Sequence, residues 1–178
     1  MSKWSVAIAD DNERMTEILS EIMKQDEDLQ VVGIAHNGEE ACQLIRDKGP
    51  DIMLLDIIMP KLDGLSVMER ISQDTKIKKK PEFVVVSAIG QERITEDAFL
   101  LGASYYIMKP FDNDMVLNRI KQFRKFGKGI RRENRGTGNL GRAGEISEKI
   151  CRLMLPILFM KSVCRRISKD ISICGMRS

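Results

Sequence analysis

Three acidic residues and one lysine of this chain are of the types that together carry out phosphoryl transfer. They are Asp10, Asp11, Asp56 and Lys109. Three carboxylates in one crevice repel one another unless a hard divalent cation lies among them. A lysine beside them adds a point charge that suits phosphate oxygens. The set therefore predicts that Asp56 accepts a phosphoryl group with help from Mg²⁺, and that Asp10 and Asp11 hold the metal.

Each of these residues directly follows a short apolar segment, which is typical of a buried strand in a parallel sheet. The segments are Val6–Ala9, Ile52–Leu55 and Tyr105–Met108. Functional sites of open α/β sheets lie at the carboxyl ends of the strands, so the four residues are expected to meet at one edge. The Asp10–Asp11 pair alone is more typical of solvated residues that cap a helix than of a functional site. The agreement of all four positions favours a functional site.

Strand and helix patterns alternate five times up to Phe126, which predicts an α/β fold with a doubly wound, five-stranded parallel sheet of the flavodoxin-like type. Right-handed crossovers are expected to place the first and third strands side by side. After the first strand, further strands are expected over Val31–Ala35, up to Asp56 and over Phe83–Val86. Helices are expected from Asn12, over Gly38–Lys48, up to about Ile71, over Glu92–Leu101 and over Asp112–Phe126. Gly102 is expected to end the fourth of these helices.

Three further groups are candidates for the same site. Ser87 ends the fourth strand and offers a hydroxyl donor, although a serine that simply terminates a strand is equally consistent. Tyr106 is more typical of the core, and it becomes a candidate switch residue only beside Ser87. The backbone carbonyl of Ile58 is a candidate additional metal ligand. The Lys109–Pro110 bond is a candidate cis bond that would aim the lysine into the site.

The combination of these residues resembles the receiver domain of two-component response regulators. It comprises Asp10–Asp11, Asp56, Ser87, Tyr106 and Lys109–Pro110. The resemblance implies a cytoplasmic signalling protein, not an enzyme, whose aspartate takes phosphate from a histidine kinase or histidine phosphotransferase. It also implies that the hydroxyl and the aromatic ring turn inward together and rework the face of the fourth helix, fifth strand and fifth helix.

Three longer segments resemble the receivers of the stage-zero sporulation regulators of spore-forming Firmicutes. They are PDIMLLDIIMPKLDGLSVMERI (residues 50–71), SAIGQE (87–92) and LGASYYIMKPFD (101–112). This resemblance covers roughly residues 3–126. It implies a phosphorelay that controls sporulation-type transcription, a homodimer formed on phosphorylation, and DNA contacts made only through a helical effector domain joined by a hinge.

Charge is distributed unevenly along the 178 residues, whose formal net charge is +3. Residues 1–126 contain 17 basic and 22 acidic residues, whereas residues 127–178 contain 12 and 4. Such asymmetry favours two parts with different roles. We expect a phosphoacceptor receiver over 1–126, a flexible Gly/Arg linker over 127–150, and a basic, apolar tail over 151–178.

Two function classes are disfavoured by the sequence. No apolar run reaches the roughly 18–20 residues that a membrane span needs, and the N-terminus has no signal-peptide pattern, so no membrane partner is expected. The cysteines show no metal-ligand spacing and are expected to be reduced thiols. They are Cys42, Cys151, Cys164 and Cys174.

The tail over Cys151–Ser178 does not resemble the expected effector domain. It could be an amphipathic segment at a membrane surface, but Pro156 lies inside its apolar run and would break a helix. When Phe159–Ser178 is back-translated and read from the third base of each codon, permitted codons spell HEVGVPAHIKGYQYLRYAI, which resembles the start of that effector domain. The hypothesis is a frameshift between the linker and about Arg152, which leaves the DNA-binding output truncated.

Two alternative functions use a similar aspartate. A stand-alone phosphotransfer receiver has the same site residues and no DNA-binding role, so only an effector domain distinguishes it. A phosphatase of the haloacid-dehalogenase type needs a second acid two residues after the nucleophile. Ile58 occupies that position, which argues against the phosphatase.

Overall fold

The computed structural model describes the backbone of residues 3–133 and the side-chain surroundings of residues 3–123. Strands and helices alternate strictly along this part of the chain. The elements are β1 Trp4–Ala9, α1 Glu13–Lys24, β2 Leu29–Ala35, α2 Gly38–Lys48, β3 Ile52–Leu55, α3 Gly64–Gln73, β4 Glu82–Ser87, α4 Glu92–Leu100, β5 Ala103–Met108 and α5 Asn113–Glu133.

The five strands form one parallel sheet in the order β2-β1-β3-β4-β5. The first and third strands are neighbours, as expected, and the order of the strands reverses there. Ala9 pairs with Ala35 on one side and with Leu55 on the other, so β1, β2 and β3 end at the same level. The predicted doubly wound α/β fold is confirmed.

Helices cover both faces of the sheet. The core layer under α2, α3 and α4 contains Ala7, Ala9, Met53, Leu55, Phe83 and Val85 of the sheet with Ala41, Cys42, Ile45, Val67, Met68, Ile71 and Ala98 of the helices. Neighbouring strand residues such as Ile8 and Leu54 are also fully buried, and they face the side covered by α1 and α5 because side chains alternate along a strand. Burial on both faces explains why the strands are apolar throughout.

The helix ends follow local capping chemistry. Asn12, Asn37 and Asp63 each accept a hydrogen bond from a backbone N–H in the first turn of α1, α2 and α3 respectively. Glu40 in turn accepts from the backbone N–H of His36 at 2.9 Å, so α2 begins with two reciprocal contacts. Gly102, the expected end signal of α4, follows that helix with a φ of 100°.

Several predicted boundaries differ from the structure, most of them by one or two residues. Strand β2 begins at Leu29, two residues before the expected Val31, and α5 continues to Glu133 instead of ending at Phe126. Gly127 was the signal for the expected end of α5, but a glycine inside a helix costs only about 1 kcal/mol and need not stop it. The first residues of the predicted linker are therefore helical.

The predictions for the remainder of the linker and for the tail over 151–178, including the frameshift, fall outside the described residues. So do three of the four cysteines. Cys42 is a buried free thiol whose pKa is raised by burial. None of the helices within residues 3–133 is long and apolar enough to cross a membrane.

The loop between β3 and α3 contains a backbone conformation that side chains disfavour. Lys61 has a φ of 65°, and the N–H of Leu62 donates to the carbonyl of Pro60 at 2.8 Å, which closes a three-residue turn around Lys61. A non-glycine residue at such a φ costs roughly 1–2 kcal/mol.

We expect Lys61→Gly to raise the free energy of unfolding by about 0.5–1 kcal/mol. Glycine removes the strain at this φ, and the greater conformational entropy that it gives the unfolded chain cancels only part of this stabilisation. Urea denaturation of the metal-free protein measures this change. Lys48→Gly in the last turn of α2 is the matched control and should lower the same quantity by a similar amount. A lower free energy of unfolding in both variants would contradict the presence of backbone strain at Lys61.

Candidate functional site

The residues singled out in the sequence meet at the carboxyl edge of the sheet. Backbone hydrogen bonds hold them there: the N–H of Asp10 donates to Ala35 at 3.1 Å, and the N–H of Asp56 donates to Ala9 at 2.9 Å. The N–H of Lys109 donates to the carbonyl of Ser87 at 2.9 Å. The backbone hydrogen bonding of the sheet therefore continues one residue past the end of β1, β3 and β5 and orients Asp10, Asp56 and Lys109.

Lys109 is shared by two carboxylates. Its Nζ lies 2.6 Å from Oδ2 of Asp10 and 2.6 Å from Oδ2 of Asp56. The side chains of Asp10 and Asp56 are only 1% and 8% exposed, and that of Lys109 is 15% exposed. Charges this deeply buried persist only when they are paired. One lysine against two carboxylates still leaves a negative charge in the site.

Burial and pairing act in opposite directions on these groups. Burial raises the pKa of Asp10 above its ordinary value, and the hydrogen bonds from Lys109 and from the N–H of Asn12 reverse this only in part. Burial alone would lower the pKa of Lys109, but its hydrogen bonds to Asp10 and Asp56 outweigh burial and raise that pKa. The lysine is therefore held in its charged form.

Asp11 completes a cluster of three carboxylates. Asp10, Asp11 and Asp56 each contribute one carboxylate oxygen to this cluster, and the three oxygens lie within 4.8 Å of one another. Asp11 is exposed whereas the other two are buried, so the cluster is open on one side. Hard oxygen donors with an open side fit a divalent cation that keeps some of its waters. These three residues could hold Mg²⁺.

Ser87 is buried completely, and its Oγ makes no hydrogen bond within the described part of the chain. A buried hydroxyl without a partner is uncommon and calls for an explanation. The hydroxyl of Tyr106 donates to the carbonyl of Ile89 at 2.5 Å. Burial raises the pKa of Tyr106, and the hydroxyls of Thr95 and Ser87 offset this only in part.

The backbone of Asp56 is enclosed by the start of α3. A Cβ at Gly64 would lie 2.2 Å from the carbonyl oxygen of Asp56, which no side chain can tolerate. The N–H of Gly64 also donates to the carbonyl of Ile57 at 2.9 Å. On the other side, Oδ1 of Asp56 accepts from the N–H of Ile58 at 3.2 Å. These contacts fix the orientation of the Asp56 carboxylate.

The structure thus brings Asp10, Asp11, Asp56 and Lys109 into one cluster, with Ser87 joined to it through the backbone. The side chain of Ile58 is 56% exposed, and its carbonyl as a metal ligand remains a prediction. The Lys109–Pro110 bond is cis, as expected. Sequence reasoning missed Gly64 and the carbonyl of Ile89. The Asp63-Gly64 pair at the start of a helix is a sequence signal from which Gly64 could have been identified. No local sequence signal marks the carbonyl of Ile89 as the acceptor for Tyr106.

We expect Asp10→Asn to raise the free energy of unfolding of the metal-free protein at pH 7 by about 1 kcal/mol, because it removes a buried charge. The pKa of Asp10 is higher in the folded than in the unfolded state, so its carboxylate lowers stability as the pH rises above about 3.8. The gain should therefore shrink on acidification towards pH 4. Urea denaturation in EDTA between pH 4 and pH 7 measures it.

Asp11→Asn is the matched control, since it removes an exposed carboxylate from the same cluster and should change the stability by less than about 0.5 kcal/mol. An Asp10→Asn protein that is less stable than the parent at pH 7 would show that the bond to Lys109 outweighs burial.

Comparisons with known proteins agree with this geometry. The model of the response regulator receiver domain family matches residues 6–121. The response regulator domain of CheB from Thermotoga maritima is 27% identical, with a TM-score of 0.60, over 69% of this chain and 95% of that chain. The receiver domain of NarL from Mycobacterium tuberculosis is 25% identical, with a TM-score of 0.65, over 70% of this chain and 98% of that chain.

A third similar structure contains bound groups. In the CheX–CheY–BeF3–Mg²⁺ complex from Borrelia burgdorferi, the matching chain is 31% identical, with a TM-score of 0.62, over 68% of this chain and 89% of that chain. The family match covers more than half of the chain and includes the acidic cluster, Ser87 and Lys109. This chain belongs to the response regulator receiver domain family, whose members are phosphoacceptors of two-component signalling.

Proposed function

We propose that this protein is a response regulator that accepts a phosphoryl group on Asp56, with Mg²⁺ held by Asp10, Asp11 and Asp56. The observation that carries the proposal is the cluster of three carboxylates around one lysine at the carboxyl edge of the sheet. Structural charges are usually balanced by pairing, whereas this cluster has an excess of negative charge that a divalent cation would neutralise.

In the proposed reaction a carboxylate oxygen of Asp56 attacks the phosphorus of a phosphohistidine. The new O–P bond gives an acyl phosphate, the P–N bond breaks, and the leaving imidazole nitrogen takes up a proton. Bound Mg²⁺ supplies charge neutralisation for the phosphoryl oxygens. Lys109 gives up its contact with Oδ2 of Asp56 and pairs with a phosphoryl oxygen, keeping its charge throughout.

Ser87 is the proposed donor to another phosphoryl oxygen. Its Oγ has no partner within the described residues, so phosphorylation would supply the acceptor it lacks. Movement of Ser87 towards the phosphoryl group would open space beside it for the ring of Tyr106. Tyr106 is therefore the proposed switch residue that links Asp56 to the surface of α4, β5 and α5.

The finer proposals rest on the resemblance in sequence. We assign the phosphodonor to a histidine kinase or histidine phosphotransferase, the output to sporulation-type transcription, and the phosphorylated form to a homodimer. DNA contacts would require the effector domain that residues 151–178 do not resemble. Sequencing of the gene across the codons for Gly141–Leu155 and past Ser178 tests whether an effector domain is encoded. A corrected base that restores the effector sequence would support a DNA-binding regulator, whereas a confirmed frame with no effector sequence after Ser178 would contradict it.

We expect incubation with acetyl phosphate and Mg²⁺ to add one phosphoryl group that hydroxylamine removes, and Asp56→Asn to reduce this labelling to background. Intact-protein mass spectrometry measures both. Asp47→Asn, at an exposed position of α2, is the control and should label like the parent. Labelling that persists in Asp56→Asn would refute the assignment of the phosphoacceptor.

We expect Mg²⁺ to raise the free energy of unfolding of the parent, by about 1.4 kcal/mol at a concentration ten times the dissociation constant. Asp11→Asn should lose most of this gain while keeping the metal-free stability of the parent, because Asp11 is exposed and could act mainly through the metal. Urea denaturation with Mg²⁺ and with EDTA measures the difference. Equal stabilisation of parent and variant would exclude Asp11 from the metal site.

A further inference from the structure

A groove of about 790 Å³ lies between the C-terminal end of α2 and the loop that joins α3 to β4. Its lining combines four cationic residues and one acidic residue with the apolar side chains of Ile45 and Ile77 and with Gly49. The charged residues are Arg46, Lys76, Lys78, Lys79 and Asp74. The volume falls within the roughly 300–1,000 Å³ that is usual for small-molecule sites. None of the residues of the acidic cluster lines this groove.

The loop that forms one wall is attached to the domain at several points. Nε of Arg46 lies 3.1 Å from Oδ2 of Asp74, and Nζ of Lys79 lies 2.5 Å from Oδ1 of Asp51. Nζ of Lys80 donates to the carbonyl of Ser72. Because these contacts hold the loop in place, the wall is formed before any ligand arrives.

The same contacts divide the lysines of the loop into two kinds. Residues 76–80 contain four lysines, and two of them, Lys79 and Lys80, bind the domain itself. The ammonium groups of Lys76 and Lys78 make no hydrogen bond or ion pair to any residue that the structure describes, and both line the groove. Oδ1 of Asp74 accepts from the backbone N–H of Lys76 at 2.9 Å, so this carboxylate offsets part of the positive charge of the groove. An anion in the groove would neutralise the remainder.

The chemistry of the lining indicates the kind of anion. Ile77 is partly buried against the core and lies beside the lysines, so the groove offers an apolar surface next to a cluster of positive charge. A ligand with a weakly polar ring joined to phosphate groups would match both the apolar and the positively charged part of this lining. A concave site of this volume also suits a small molecule better than the surface of a folded partner.

We propose that this groove binds a nucleotide, with its phosphates at Lys76 and Lys78 and its base against Ile77. The groove lies at the opposite edge of the sheet from the acidic cluster, since Asp51 precedes β3 and Asp56 follows it. Four strand residues lie between them, so they are five residue steps apart, about 16 Å of extended backbone. A nucleotide in the groove and a phosphoryl group on Asp56 could therefore be present together.

The test is an NMR titration of the full chain, labelled with ¹⁵N, with ATP, GTP and inorganic tripolyphosphate in EDTA at low salt. We expect nucleotide-induced amide shifts concentrated in residues 45–49 and 74–80. We also expect ATP or GTP to bind several-fold more tightly than tripolyphosphate, because the base adds an apolar contact. Added salt should weaken the binding.

Lys76→Gln/Lys78→Gln should weaken nucleotide binding by roughly tenfold or more, because two charge-assisted contacts are lost. Lys24→Gln/Arg93→Gln is the matched control, since it removes the same charge from exposed positions on α1 and α4 and should change the affinity by less than about twofold. Neither pair should alter labelling of the protein by acetyl phosphate.

Three outcomes would overturn the proposal. They are the absence of nucleotide binding at millimolar concentration, shifts centred on the acidic cluster instead of the groove, and equal weakening by the two double substitutions. Tighter binding of an acidic peptide than of either nucleotide, at the same residues, would assign the groove to a protein partner instead.

Discussion

The contact on which the site depends is the position of the Lys109 ammonium group between the buried carboxylates of Asp10 and Asp56. Without that charge, two buried carboxylates would face each other at the end of the sheet, where burial leaves their repulsion poorly screened. With it, the site keeps enough negative charge to attract a cation and enough positive charge to attract phosphate. The parallel strands β1, β3 and β5 bring these side chains together.

The parallel sheet accounts for how residues so far apart in sequence reach one point. Strands β1 and β3 are neighbours at the place where the strand order reverses, so Asp10 and Asp56 leave adjacent strands side by side. Lys109 arrives from the edge strand β5 and reaches across β4, which is possible because its side chain is long and β4 ends in the small residue Ser87.

Much of this arrangement could be predicted from the sequence, and the reasons are physical. Apolar segments that end in Asp10, Asp56 and Lys109 predict both the strands and the edge at which they meet, since parallel strands have their carboxyl ends together. Features that depend on distances between separate segments could not be predicted in this way. The shared hydrogen bonds of Lys109, the acceptor of the Tyr106 hydroxyl and the groove beside α2 arise from the packing of several elements. The end of α5 was missed because a glycine signals a possible helix end without requiring one.

The close approach of Gly64 to the Asp56 carbonyl restricts how this loop can vary during evolution. Every amino acid other than glycine would place its Cβ against the Asp56 peptide. Substitution at position 64 is therefore excluded while the backbone keeps this shape. The neighbouring Ile58 has no such restriction, because more than half of its side chain lies in solvent. Divergence among related receivers with this loop shape should therefore accumulate at position 58, whose side chain lies in solvent, and not at position 64, which is packed against the Asp56 peptide.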